Sequence, residues 1–121
     1  MLRSVLSIAA FISISISFGA CSGISPTRSK EAILRQNLRT LRDQINNYTQ
    51  DKEKAPQTLQ DLVDAGYLKR IPKDPFTDSA QTWQVEKSDA LISVEQTEPG
   101  ISDVHSGSHL IGSDRTPYNS W

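Results

Sequence analysis

The chain has one cysteine, Cys21, two histidines, three phenylalanines, three tyrosines and two tryptophans among its 121 residues. A single thiol cannot close an intrachain disulfide or assemble a thiolate zinc cluster. The fold must therefore rest on an apolar core, or on a metal held through oxygen ligands. An excess of either charge is also lacking. The 13 basic and 14 acidic residues are interspersed and leave a formal net charge of −1. That balance argues against a nucleic-acid binder, which concentrates positive charge on one face. There is no internal repeat, no low-complexity tract, no phosphate-cradling glycine loop and no nucleophile elbow. His105 and His109 are spaced i, i+4, but their Gly/Ser-rich surroundings do not make the helix that would turn them into a zinc pair. Asp103, His105 and Ser106 are the residue types of a hydrolytic triad, yet a triad converges from separated segments and these are near neighbours on one stretch. The expectation is a protein that is not an enzyme.

What is present begins with an export signal. In residues 1–20, MLRSVLSIAAFISISISFGA, Arg3 precedes a run without charge from Ser4 to Ala20. The run closes on Phe18-Gly19-Ala20-Cys21-Ser22, which resembles a bacterial lipobox. In that reading Cys21 is the lipidation site, and each buried methylene of its acyl chains adds ~0.8 kcal/mol of membrane affinity. Three alternatives remain open: an uncleaved membrane helix, an ordinary signal cut after Ala20, and a buried core helix. Residues 21–29 are polar, contain Gly23 and Pro26, and read as a tether.

A globular domain is expected over residues 30–121. From Lys30 to Gln50, the residues Leu34, Leu38, Leu41, Ile45 and Tyr48 recur at helical spacing with no glycine or proline between them. Ser29 is the expected N-cap, with Glu31 in the first turn. Arg35, Arg39 and Arg42 flank this stripe, either as a contact ridge or as a solvated edge whose stems cover the core. Thr58 and Asp61 predict a capping box opening a second helix with Leu59, Leu62, Val63 and Ala65 on its apolar face. Gly66 stops that helix, and Tyr67 and Leu68 pack back on its end. Two prolines in Ile71-Pro72-Lys73-Asp74-Pro75-Phe76 predict a rigid extended turn. Strands are expected at Thr82–Glu86, more loosely at Ala90–Val94, and at Ile101–His105. The stretch from Gly107 to Pro117 is turn-rich. The fold class is α+β, a long helix packed on a small antiparallel sheet.

These residues carry a family resemblance. The series from Glu31 to Arg42, followed by Ile45, Tyr48 and Lys52, resembles the post-membrane part of the major pseudopilin of type II secretion systems. Ala55-Pro56, Leu59, Leu62, the Gly66-Tyr67-Leu68 turn and the Ile71-to-Phe76 segment continue the likeness, which closes with Asp103-Val104-His105-Ser106-Gly107 and Trp121. It spans about residues 30–121. The resemblance implies a structural role: subunits of a short periplasmic filament that pushes folded proteins through an outer-membrane pore. It implies a pseudopilin-like head, other secretion-system subunits and self-association as partners, and a location in the cell envelope with the domain in the periplasm. It also implies calcium in the C-terminal loop, for which Asp103, Ser106 and Asp114 are the candidates; His109 falls close to where an acid is expected. The family's prepilin-peptidase motif, a glycine followed by Phe-Thr-Leu-Ile-Glu, does not occur here. The reading is thus a membrane-tethered accessory carrying the same head. The alternative is a periplasmic lipoprotein binding module unrelated to secretion.

Overall fold

Pro26 is the first residue of a helix that runs without a break to Lys52. The computed structural model describes residues 25–89, 94, 96 and 98–121. The expected export segment, Cys21 and residues 90–93 lie outside them. In chain order the elements are α1 (Pro26–Lys52), α2 (Leu59–Asp64), β1 (Gln84–Ser88), β2 (Gly100–His105) and a 3-10 turn at Tyr118–Ser120. The architecture is α+β, as expected. No helix among the described residues is long and apolar enough to cross a membrane.

The start of α1 differs from the expectation. Ser25, not Ser29, is the N-cap, and its hydroxyl accepts from the Arg28 N–H at 3.3 Å. Proline at the first helical position has its φ already set and no N–H to leave unpaired, so the helix extends back through half of the expected tether. Glu31 consequently sits beyond the first turn, where no acidic residue is found. At the other end Glu53 takes a left-handed conformation, φ 55°, and stops the helix.

The capping box is present. Asp61 N–H donates to Thr58 Oγ1 at 3.3 Å, and Asp61 Oδ2 accepts from the N–H groups of Thr58 and Gln57 at 3.2 and 2.8 Å. Gly66 adopts φ +83°, a conformation costly for any side chain. That geometry lets the N–H groups of Tyr67 and Leu68 close on the Leu62 carbonyl at 2.8 and 3.1 Å. Tyr67 then meets Tyr48 edge-on, 5.6 Å between ring centroids.

β1 and β2 form a two-stranded antiparallel sheet, in which Gln84 faces His105, Val85 faces Val104 and Glu86 faces Asp103, with an irregularity after Glu86. β1 begins two residues later than the alternation suggested. Trp83 is instead buried ahead of the strand, its indole N–H donating to the Pro72 carbonyl at 2.8 Å. β2 matches the expected Ile101–His105 segment with Gly100 added. At Gly100 a Cβ would stand 2.4 Å from the Ala55 Cβ, so only glycine lets the strand meet the chain after α1. The Ile101 N–H donates there to the Pro56 carbonyl at 2.8 Å. Of the expected strand at Ala90–Val94, only Val94 is described; it lies in a turn and is fully exposed.

The core is the ridge of α1 (Leu34, Leu38, Leu41, Ile45, Tyr48) closed over by Leu59 and Leu62, Trp83, Ile101 and Val104, and Tyr118. Each fully buried leucine contributes ~1.5–3 kcal/mol of transfer free energy. β2 makes the principal contact with α1, whereas β1 is mostly exposed and is held through β2.

Leu41 is fully buried and Ile33, on the same helix, is half exposed. Leu41→Ala is expected to cost ~2–5 kcal/mol in urea-induced unfolding, transfer and cavity effects together. Ile33→Ala should stay within ~0.5 kcal/mol of the parent. Equal effects at the two positions would refute this assignment of the helix faces.

Candidate functional site

Many of the polar groups with long-range partners gather where the C-terminal segment lies against α1. Arg42 is the hub. Its Nε donates to Asp103 Oδ1 at 2.7 Å, and its Nη2 donates to the main-chain oxygens of Val104 and Trp121 at 3.0 and 2.6 Å. One guanidinium thus ties α1 to β2 and to the end of the described chain, using the fork of donors that lysine lacks. Asp103 Oδ1 also accepts from the Val104 N–H at 2.8 Å. Partial burial works against the charged form of Asp103, yet the Val104 N–H and the Arg42 guanidinium together hold its pKa below the usual aspartate value. Both side chains are more than one-third exposed, so solvent screens the pair.

Arg35 places its guanidinium carbon 4.3 Å from the Trp121 ring centroid, and Trp121 meets Tyr118 edge-on at 4.9 Å. Arg35, Arg39, Arg42 and Trp121 line a cleft of about 450 Å³, with Leu38, Asp43 and Asp114 completing its wall. The arginine row therefore has two characters: Arg42 is a structural clamp, and Arg35 and Arg39 border an open groove.

Two buried carboxylates organise the C-terminal loop. Glu31, 2% exposed, accepts from the Ser113 N–H at 2.8 Å, the Ser113 hydroxyl at 2.6 Å and the Tyr118 hydroxyl at 2.8 Å. The Ser113 bonds, hydroxyl first, hold its pKa below the usual glutamate value against the effect of burial. Burial, reinforced by the bond to Glu31, pushes the Tyr118 phenol up to about 12. Asp74, fully buried between Pro72 and Pro75, receives the Ser106 hydroxyl and the Gly107 N–H through Oδ2, and the Phe76 N–H through Oδ1 at 2.9 Å.

The residues expected as calcium ligands are thereby dispersed among other partners. Asp103 is bonded to Arg42, and Ser106 to Asp74. Asp114 Oδ1 takes the hydroxyl and N–H of Thr116 at 2.6 and 2.9 Å, the hydroxyl bond foremost in lowering its pKa. With the Ser106 hydroxyl and one oxygen of each aspartate engaged by separate protein partners, the set fits poorly with an ion that takes six to eight oxygen ligands. No role below is assigned to calcium. The triad types do not form a relay either. Ser106 is bonded to Asp74, and His105 Nδ1 lies 2.8 Å from the Trp121 main-chain oxygen. His109 instead contacts Asn119 Nδ2 at 2.9 Å.

Sequence reasoning missed Glu31 and Asp74 as anchors. The signal for Asp74 was an acid confined between two prolines, where the extended backbone leaves its carboxylate free to cap N–H groups elsewhere. Glu31 had no comparable signal, because its burial depends on a loop more than 80 residues away. No protein-family model, curated protein or solved structure matches the chain.

Glu31 accepts three hydrogen bonds that Gln, with one acceptor oxygen, cannot reproduce. Its depressed pKa contributes stability in full above the unfolded-state value near 4.5, and that stability is lost as pH falls through the folded value. Glu31→Gln should be less stable at neutral pH and show a shallower stability loss on acidification, read by urea midpoints across the acid range. A parallel loss in both proteins would overturn the role of Glu31. In alkaline spectrophotometric titration, Tyr118 should ionise near pH 12, and Tyr118→Phe should remove that late step.

Proposed function

We propose that this chain is a non-catalytic component of a type II protein secretion apparatus, a pseudopilin-like head carried on a membrane tether. The observation that supports it best is α1 itself. A continuous 27-residue helix begins five residues after Cys21 and has its apolar ridge covered by the C-terminal half of the domain. At 1.5 Å per residue it is about 40 Å long. A lever of that length, stiffened along one side by its own domain, transmits displacement from a bilayer attachment to a headpiece. The resemblance through the Gly66-Tyr67-Leu68 turn and the Ile71-to-Phe76 segment supports the same reading, and both segments are structural determinants: Gly66 ends α2, and Asp74 anchors Ser106. The partners in this reading are other secretion-system subunits, and the domain lies in the periplasm.

A second reading, an envelope lipoprotein that binds an unrelated partner, has one observation in its favour. The cleft beside Arg35, Arg39 and Trp121 presents two arginines and an aromatic ring at the surface.

Two measurements test the proposal. Intact mass of the membrane form should show cleavage before Cys21 and a diacylglyceryl addition; an uncleaved leader, or a mature chain starting at an unmodified Cys21, would overturn the lipid tether. Single cysteines at exposed α1 positions such as Ile33 and Gln36 should give crosslinked ladders or heteromeric adducts with secretion subunits in native membranes. A membrane-bound protein that gives neither would overturn the secretion role and leave the binding-module reading.

A further inference from the structure

Glu86, Asp103 and His105 occupy one patch of the two-stranded sheet. Glu86 is the cross-strand partner of Asp103, and His105 lies two residues further along β2. His105 Nε2 is 3.6 Å from Glu86 Oε2 and 3.6 Å from Asp103 Oδ2, and a set of one ligand atom from each residue falls within 4.8 Å. No other group of three such side chains stands as close among the described residues.

Two further features raise this above a chance meeting of acids. First, His105 Nδ1 lies 2.8 Å from the main-chain oxygen of Trp121, which can only accept. Nδ1 therefore donates to it, which leaves Nε2 as the nitrogen turned towards the two carboxylate oxygens. A main-chain oxygen fixing the far nitrogen is the usual outer support of a metal-bound imidazole. Second, Asp103 Oδ1 is held by Arg42 Nε and the Val104 N–H, at 2.7 and 2.8 Å, which leaves Oδ2 as the oxygen facing the cluster. Two acids directly opposite across an antiparallel pair repel one another, and a bound cation would relieve that repulsion.

We propose that Glu86, Asp103 and His105 form a binding site for a first-row divalent transition metal, with zinc as its representative. Tetrahedral bonds of ~2.0–2.2 Å place neighbouring ligand atoms ~3.3–3.6 Å apart, close to the two 3.6 Å spacings that His105 Nε2 makes. Imidazole with two carboxylates suits zinc, cobalt or nickel, whereas calcium takes oxygen ligands only. Three protein ligands leave the fourth position to water. Arg42, bonded to Asp103, lowers the negative charge of the site and weakens its hold on a cation. The ion would join β1 to β2 and, through His105, to the C-terminal segment. Because it binds the folded state, it would also raise the unfolding temperature.

The test is a zinc titration of the chelator-treated full chain by calorimetry, with thermal unfolding followed in parallel. One saturable equivalent is expected, together with a rise in the midpoint temperature. Loss of an outer-support residue alone costs metal sites ~10–100-fold in affinity, so His105→Ala and Glu86→Gln should each weaken binding at least ~10-fold. The Glu86 side chain is 64% exposed, so its replacement leaves the core untouched and keeps the test valid if His105→Ala misfolds. His109→Ala should bind as the parent does. Absence of saturable binding in the parent, or parental affinity in Glu86→Gln, would overturn the site. Calcium displacing zinc at equal concentration would overturn its transition-metal character.

Discussion

A single amphipathic helix cannot bury its own ridge, and every other element here follows from that constraint. Leu34, Leu38, Leu41, Ile45 and Tyr48 run along one side of α1, and short helices and hairpins are individually marginal in water. The C-terminal half supplies the missing surface through Ile101, Val104 and Tyr118, and α2 supplies the rest through Leu59 and Leu62. The two-stranded sheet persists because one of its strands lies on the helix. β1, exposed along most of its length, is held at one remove.

Burying this ridge brings polar backbone with it, and the buried carboxylates and Arg42 meet that demand. Asp74 and Glu31 accept N–H and hydroxyl groups from a loop rich in serine and glycine, which has little regular structure to satisfy them internally. Arg42 does the converse, donating to carbonyls of β2 and of Trp121. Anchors of this kind stabilise less per contact than the apolar ridge. They select one arrangement of the loop over others, since a buried donor or acceptor left unpaired costs ~1–3 kcal/mol. The same anchoring aligns Asp103 and His105 with Glu86, so one network is the scaffold and the cluster is its by-product at the surface.

The legibility of the sequence varied with the range of the interaction. The α1 ridge, the Thr58–Asp61 capping box, the Gly66 stop and β2 were all readable, because each is set by residues within one or two turns of one another. The N-terminus of α1 was misplaced by four residues, since Ser29 and Ser25 both offer a hydroxyl and only the proline after Ser25 distinguishes them. β1 was displaced because Trp83, in step with the alternation, is claimed by the Pro72 carbonyl. Asp103, Ser106 and Asp114 were candidates for one site by their position along the chain. In space each is bonded to a different partner, because acceptors in an irregular loop take whichever donors the fold delivers.

By itself the sequence determined a long one-sided helix, a short capped second helix, a proline-rigid turn and a C-terminal strand, together with the lack of any disulfide. Spacing, capping chemistry and backbone restriction act locally, and they leave their marks in consecutive residues. Only the tertiary structure decided that Glu31 and Asp74 would be interior anchors, that Arg42 would serve the core while Arg35 and Arg39 border a groove, and that the His105 ring would lie beside Glu86 and Asp103 while Ser106 bonds Asp74. Those outcomes depend on strand register and on contacts spanning up to 87 residues, and no pattern along the chain encodes which partner is near.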